Sequence, residues 1–166
     1  KAASYRLSLL GLIAIGLLAL VWPKATSPVL LWNASYSIPT GLYARTSQAP
    51  AKGRLAIIRL PEPERTLAHD RGYLSAGALL IKPVVAGPGN VICRYGGIVS
   101  IDGRPRVRAK TIDSRHRQLP RWQKCFRLTA SQIFVLSTVP GSFDSRYFGP
   151  INRERITGIA VPIWTR

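Results

Sequence analysis

The sequence predicts a mainly β domain, an antiparallel sheet folded over on itself or left as an open barrel, behind one N-terminal transmembrane helix. Two observations carry this reading. Short β-branched segments bounded by Gly, Pro, Asn or Asp recur through the second two-thirds of the chain, the spacing and punctuation of an all-β fold. Ahead of them, Leu7 to Pro23 (LSLLGLIAIGLLALVWP) contains no charged residue.

That apolar run sits at the short end of what crosses about 30 Å of hydrocarbon. Lys1 and Arg6 precede it and Trp22 stands near its end, so the excess of positive charge places the start in the cytoplasm and the body outside. The competing reading, a cleaved signal peptide, lacks a small-x-small site in the following VWPKATS. A buried core helix would show a polar face, and this segment has none. The division expected is residues 1–25 as stub and anchor and 26–166 as a β-rich domain.

The expected strands are Ala56 to Leu60, Ala78 to Val85, Asn90 to Tyr95, Gly97 to Gly103, Gln132 to Thr138 and Ile156 to Trp164. GIVSIDGRPRV reads as a hairpin turning at Asp102-Gly103, since Asp-Gly is a strong two-residue hairpin signal. Leu67 to Leu74 is expected to form a turn or two of helix. The 13 prolines and 14 glycines fit many loops without the low complexity of a linker.

Lys and Arg number 24 against 7 Asp and Glu, a formal charge of +17 spread along the chain. Such a field attracts polyanions, anionic lipid headgroups or nucleic acid, and does not choose between them. Cys93 and Cys125 stand too far apart and too alone for a structural zinc site. A disulfide suits an oxidising compartment, and two separately buried thiols are the alternative.

Catalytic candidates narrow by elimination. His69 and His116 lie in polar, Arg-rich stretches without ligand spacing, and there is no P-loop, GxGxxG or acidic cluster for magnesium. No cofactor or metal is expected. What remains is a serine served by a lysine, which must be neutral near pH 7 to 8, roughly 2 to 3 pKa units below its usual value. Burial does this. Lys82 in LLIKPVVAGPG is the basic residue inside a strongly apolar strand, although an edge-strand lysine placed against aggregation reads the same way.

Three ordered blocks then carry a resemblance: SYSIPTG around Ser35 and Ser37, KPVVAGPGNVI from Lys82, and GSFDSRYFGPI from Gly141. In order and character they resemble the motifs of bacterial type I signal peptidases, membrane-anchored Ser/Lys proteases of the periplasmic face of the inner membrane. NASYSIPTGLY, with a single residue between Ser37 and the proline, together with RGYL and LPRWQKC, resembles the conjugative transfer type, TraF, that matures pilin subunits. The resemblance implies Ser37 as nucleophile, Lys82 as general base, and Ser35 as an oxyanion donor. It further implies Ser142 as the hydroxyl that orients the lysine, Asp144 and Arg146 as a supporting pair, and Pro39 and Gly41 as holders of the turn. The implied partners are a precursor polypeptide and membrane lipid, with no specific nucleic acid. Some such enzymes cyclise their product.

This chain departs from the pattern at Gly89-Asn90 and at Gly53-Arg54-Leu55, where the family usually has Gly-Asp; both are turn positions, and Asn turns as readily as Asp. Asn33-Ala34-Ser35 also reads as a glycosylation sequon, discounted because a sugar there would block the groove. Rival readings are a general signal peptidase with broad substrates, a self-cleaving repressor lacking here its DNA-reading domain, and a non-catalytic cationic binding module.

Overall fold

The computed structural model describes residues 29–166; the expected anchor and the 25/26 boundary lie outside them. Among the described residues no helix is long and apolar enough to cross a membrane. Among the described residues eleven strands form two sheets in which every pairing is antiparallel. The larger has the order β1-β2-β11-β3-β4-β9-β10, from β1 (Leu30–Asn33), β2 (Gly41–Thr46), β3 (Leu55–Ile58), β4 (Leu80–Ala86), β9 (Gln132–Val135), β10 (Ile151–Asn152) and β11 (Ile156–Thr165). The smaller has the order β7-β6-β5-β8, from β5 (Val91–Tyr95), β6 (Ile98–Ile101), β7 (Arg104–Arg108) and β8 (Cys125–Arg127).

Alternation of side chains across a strand sorts the apolar residues into cores. Ile58, Leu80, Val84, Ile133, Val135 and Ile159 fill one side of the larger sheet. Ile38, Tyr43, Ile57, Ile81 and Ala160 fill another cluster, beneath the loop that joins β1 to β2. Where the chain passes into the smaller sheet, Ala86, Ile92, Val99, Leu128 and Phe134 form a third. The strand β4 contributes to all three, which makes it the structural axis of the domain.

The β6–β7 hairpin turns at Asp102 and Gly103, both with positive φ (50° and 75°), the backbone that a two-residue turn of this hand requires. The helix departs from expectation: α1 spans Glu64–Asp70 and not Leu67–Leu74. It starts directly after Pro63 and cannot run on, because Gly72 has φ +70°. Strands β1, β2, β8 and β10 lie outside the expected set, being short or carrying little β-branched character. A second helix, α2 (Ser145–Phe148), follows Asp144, whose side chain accepts the Arg146 backbone N–H at its N-terminus.

Cys93 and Cys125 face each other across β5 and β8 and form a disulfide. Gly41, expected in a turn, is instead the first residue of β2. With φ +144°, it lies where an added Cβ would stand 2.1 Å from the Trp164 carbonyl oxygen. Gly41→Ala must push β11 off β2. It is expected to destabilise the domain by more than about 2 kcal/mol, read as a lowered midpoint in thermal melts followed by circular dichroism.

Candidate active site

The site begins with a loop. Residues 34–40 connect β1 to β2, and the side chain of Asn33, only 9% exposed, closes the loop from within. Its Nδ2 lies 2.8 Å from the carbonyl oxygen of Ser35, 3.0 Å from that of Pro39 and 3.3 Å from that of Ile38. The Tyr43 hydroxyl donates to the Pro39 carbonyl at 2.6 Å, and the Ser137 hydroxyl donates to the Ser37 carbonyl. Backbone oxygens that a free loop would offer to water are thus held by three buried side chains, which fixes where the two serine hydroxyls point. Burial of Asn33 also removes it as a glycosylation site. Neither Asn33 nor Ser137 was singled out for this from sequence. Ser137 reaches Ser37 across 100 positions, for which local pattern carries no signal.

Lys82 comes to the same point from β4. It pairs in register with Ala56 of β3 and shares its face with Leu80 and Val84, so its stem runs through aliphatic surroundings and the side chain is 3% exposed. The pairing of β4 with β9 begins only at Val84. Lys82 thus lies on a stretch of β4 that pairs with β3 and is open on the β9 side, yet its side chain is buried and not displayed to solvent. Its Nζ is hydrogen-bonded to the Ser37 Oγ, and that oxygen lies 2.8 Å from the Ser35 Oγ. Amine, hydroxyl and second hydroxyl form one chain.

Burial pushes the Lys82 amine down to about 8; the nearby Asp144 carboxylate acts the other way and the Arg146 guanidinium adds to the lowering. The unfolded chain binds its proton up to about 10.5, so between 8 and 10.5 the unfolded state holds more protons and stability rises with pH. Below 8 the full penalty, about 3 kcal/mol, is carried by the fold.

Asp144 and Arg146 form a wholly buried bidentate pair, Nε to Oδ1 at 2.7 Å and Nη2 to Oδ2 at 2.8 Å. Each has further partners: the Ser137 N–H donates to Asp144 at 2.9 Å, and Arg146 donates to the carbonyls of Ser137 and Pro140. The pair therefore braces Ser137, the residue that holds the Ser37 carbonyl. Ser142 lines the same cleft as Ser37 and Lys82, but its Oγ is the buried side-chain polar atom without a hydrogen bond among the described residues. The expected bond from Ser142 to the lysine is absent here; the amine is held by Ser37 and by packing. Asn90 at the departed turn accepts from the Gly87 N–H and donates to Asp102, stabilising the turn with its own side chain.

Ser37 sits where two cavities meet. One, of about 660 Å³, is walled by Leu74, Leu79, Phe143 and Tyr147; the other, about 650 Å³, by Pro39, Leu55, Pro83 and Thr138. An extended chain crossing from one to the other would pass directly over the serine hydroxyl.

The family model for signal peptidase, peptidase S26, matches residues 4–165. The chain belongs to the signal peptidase family. Among its relatives, a plasmid transfer protein TraF of Escherichia coli is 31% identical over 144 residues, covering 80% of this chain and 81% of that one. A probable conjugal transfer protein TraF of Sinorhizobium fredii is 35% identical over 145 residues, covering 80% and 76%. A crystal structure of a signal peptidase I from Enterococcus faecalis aligns over 69% of this chain and 98% of its own with a TM-score of 0.40 at 17% identity, a likeness too distant to carry further weight.

Proposed function

We propose that this signal peptidase family member is a membrane-anchored serine endopeptidase with a Ser37/Lys82 dyad, acting on membrane-tethered precursors and maturing a conjugative pilin subunit. The observation that supports it most is the buried, pKa-depressed amine of Lys82 bonded to the Ser37 hydroxyl. A lysine with its pKa near 8 is a competent base at the pH of its surroundings.

In this reading Lys82, neutral, takes the proton from Ser37 as its Oγ attacks the scissile carbonyl carbon. The Ser35 hydroxyl and the Ser37 N–H stabilise the oxyanion. On collapse the C–N bond breaks and the Lys82 ammonium returns its proton to the leaving amine. Water, or an amine of the product itself where the pilin is cyclised, then resolves the acyl-enzyme. The substrate lies extended along the open stretch of β4, where backbone pairing supplies affinity, and small side chains enter the shallow apolar walls.

The conjugative assignment rests on the named relatives and on the resemblance of NASYSIPTGLY to the TraF type. An extracytoplasmic location is supported by the Cys93–Cys125 disulfide, since such bonds persist in oxidising compartments. It is further supported by the apolar run before residue 24. Next to the serine loop, Trp32 and Trp164 stack with ring centres 6.1 Å apart and stay exposed, as aromatic residues do at a bilayer interface.

The test is to incubate the purified full chain in detergent micelles with a pilin precursor and, separately, with an ordinary secretory preprotein. Cleavage of the pilin alone is expected. Equal cleavage of both would replace the conjugative reading by a general signal peptidase, and cleavage of neither would end the enzymatic one. Ser35→Ala is expected to lower kcat by about 10² to 10³, the usual loss of one oxyanion donor, with KM little changed, measured by steady-state peptide cleavage.

A further inference from the structure

The smaller sheet holds a second concentration of chemistry that the dyad does not use. Arg94 lies in the middle of β5 with its side chain 3% exposed. A guanidinium with little access to water favours an anionic partner, and this one has no carboxylate in any ion pair among the described residues. The guanidinium donates from Nη1 to the Arg146 carbonyl at 2.6 Å, and its Cζ lies 5.7 Å from the centre of the Trp122 ring. Its remaining surface lines a cavity of about 540 Å³ that Arg108, Lys110 and Arg121 also line, with Thr111 and Gln123 among the polar groups and no Asp or Glu. Arg108, Lys110 and Arg121 likewise enter no ion pair among the described residues.

From this arrangement we infer that the cavity between β5 and the segment after β7 is a binding site for a phosphate group, free or in a lipid headgroup. Four cations and no acid surround one space. A single carboxylate offers two oxygens and one negative charge, which would leave most of these donors unpaired. A phosphate offers more oxygens and up to two charges, and arginine forks match that geometry two bonds at a time. Burial, and beyond it the neighbouring Arg121 charge, weakens the hold of Arg94 on its proton, while Tyr147 acts oppositely. A bound anion relieves that crowding. The site adjoins the cleft but is separate from it: Lys110 and Ile112 line both cavities and form the ridge between them.

The experiment is a calorimetric titration of inorganic phosphate into the full chain in dodecyl maltoside micelles at about 0.15 M salt, where diffuse surface attraction is screened. Wild type is expected to bind saturably, and the double variant Arg108→Gln, Arg121→Gln to lose at least tenfold in Kd. The control, Arg104→Gln with Arg106→Gln, removes the same charge from exposed β7 positions outside the cavity and is expected to stay within twofold of wild type. Equal loss in both double variants, no saturable binding to wild type, or displacement of phosphate by acetate at the same concentration would each overturn the inference. Dioctanoyl phosphatidylglycerol distinguishes the sources: competition with phosphate assigns the site to a lipid headgroup, and its absence alongside phosphate binding assigns it to free phosphate.

Discussion

Lys82→Met is expected to abolish cleavage and, at pH 7, to make the domain more stable. The loss should be at least about 10³-fold, because one residue serves as base and then as acid, and a positioned acid or base contributes roughly 10² to 10⁴. The gain follows from the same burial. At pH 7 the fold carries a penalty of about 3 kcal/mol for an amine whose pKa it holds near 8. Methionine fills the aliphatic channel between Leu80 and Val84 without that penalty, losing only the bond to Ser37, worth about 1 kcal/mol. A rise in melting temperature of roughly 4 to 8 °C should accompany inactivity. A variant both inactive and less stable would mean that Lys82 holds the fold together, contrary to this account.

Arg146→Met is expected to be the most destabilising single change. It strands the Asp144 carboxylate, which is wholly buried, and frees the Ser137 carbonyl. Breaking one partner of a buried pair costs about 3 to 5 kcal/mol, a drop of roughly 10 °C in melting temperature. A second effect separates support from simple scaffolding. Asp144 favours the protonated Lys82 and Arg146 opposes it, so removing Arg146 leaves the carboxylate unopposed and moves the activity midpoint to higher pH. Adding Asp144→Asn to Arg146→Met should restore part of the stability and return the midpoint toward wild type. Melting curves and pH–rate profiles on the same preparations check both.

How far the sequence discloses this site depends on the range of the interactions. Lys82 was legible because its neighbours Leu79 to Val85 are adjacent in the chain, and strand burial follows from such a run. The Asp102-Gly103 turn was legible for the same reason: two residues impose the backbone themselves. The bracing of the serine loop was not. Asn33 looked like a sequon because the three-residue pattern says nothing of the fold that buries it, and Ser137 acts across the domain. The motif around Gly41 suggests a turn residue, whereas its requirement comes from β11, over 100 positions away. Nothing in the sequence around Arg94 distinguishes it from the other cations of a basic chain; the packing of β5 against Trp122 and α2 buries it without an acid partner. Ser142 reads as a lysine-orienting hydroxyl by motif, and its unpaired oxygen shows that motif position and hydrogen-bond geometry are separate facts.

The central claim is that a dry lysine amine activates Ser37, and the pH dependence of kcat/KM for peptide cleavage by the full chain tests it most directly. Activity should follow the neutral amine, rising with pH through a midpoint of about 8 and levelling above it. A rate flat from pH 6 to 9, or one that climbs only toward the ordinary lysine value near 10.5, would contradict the account.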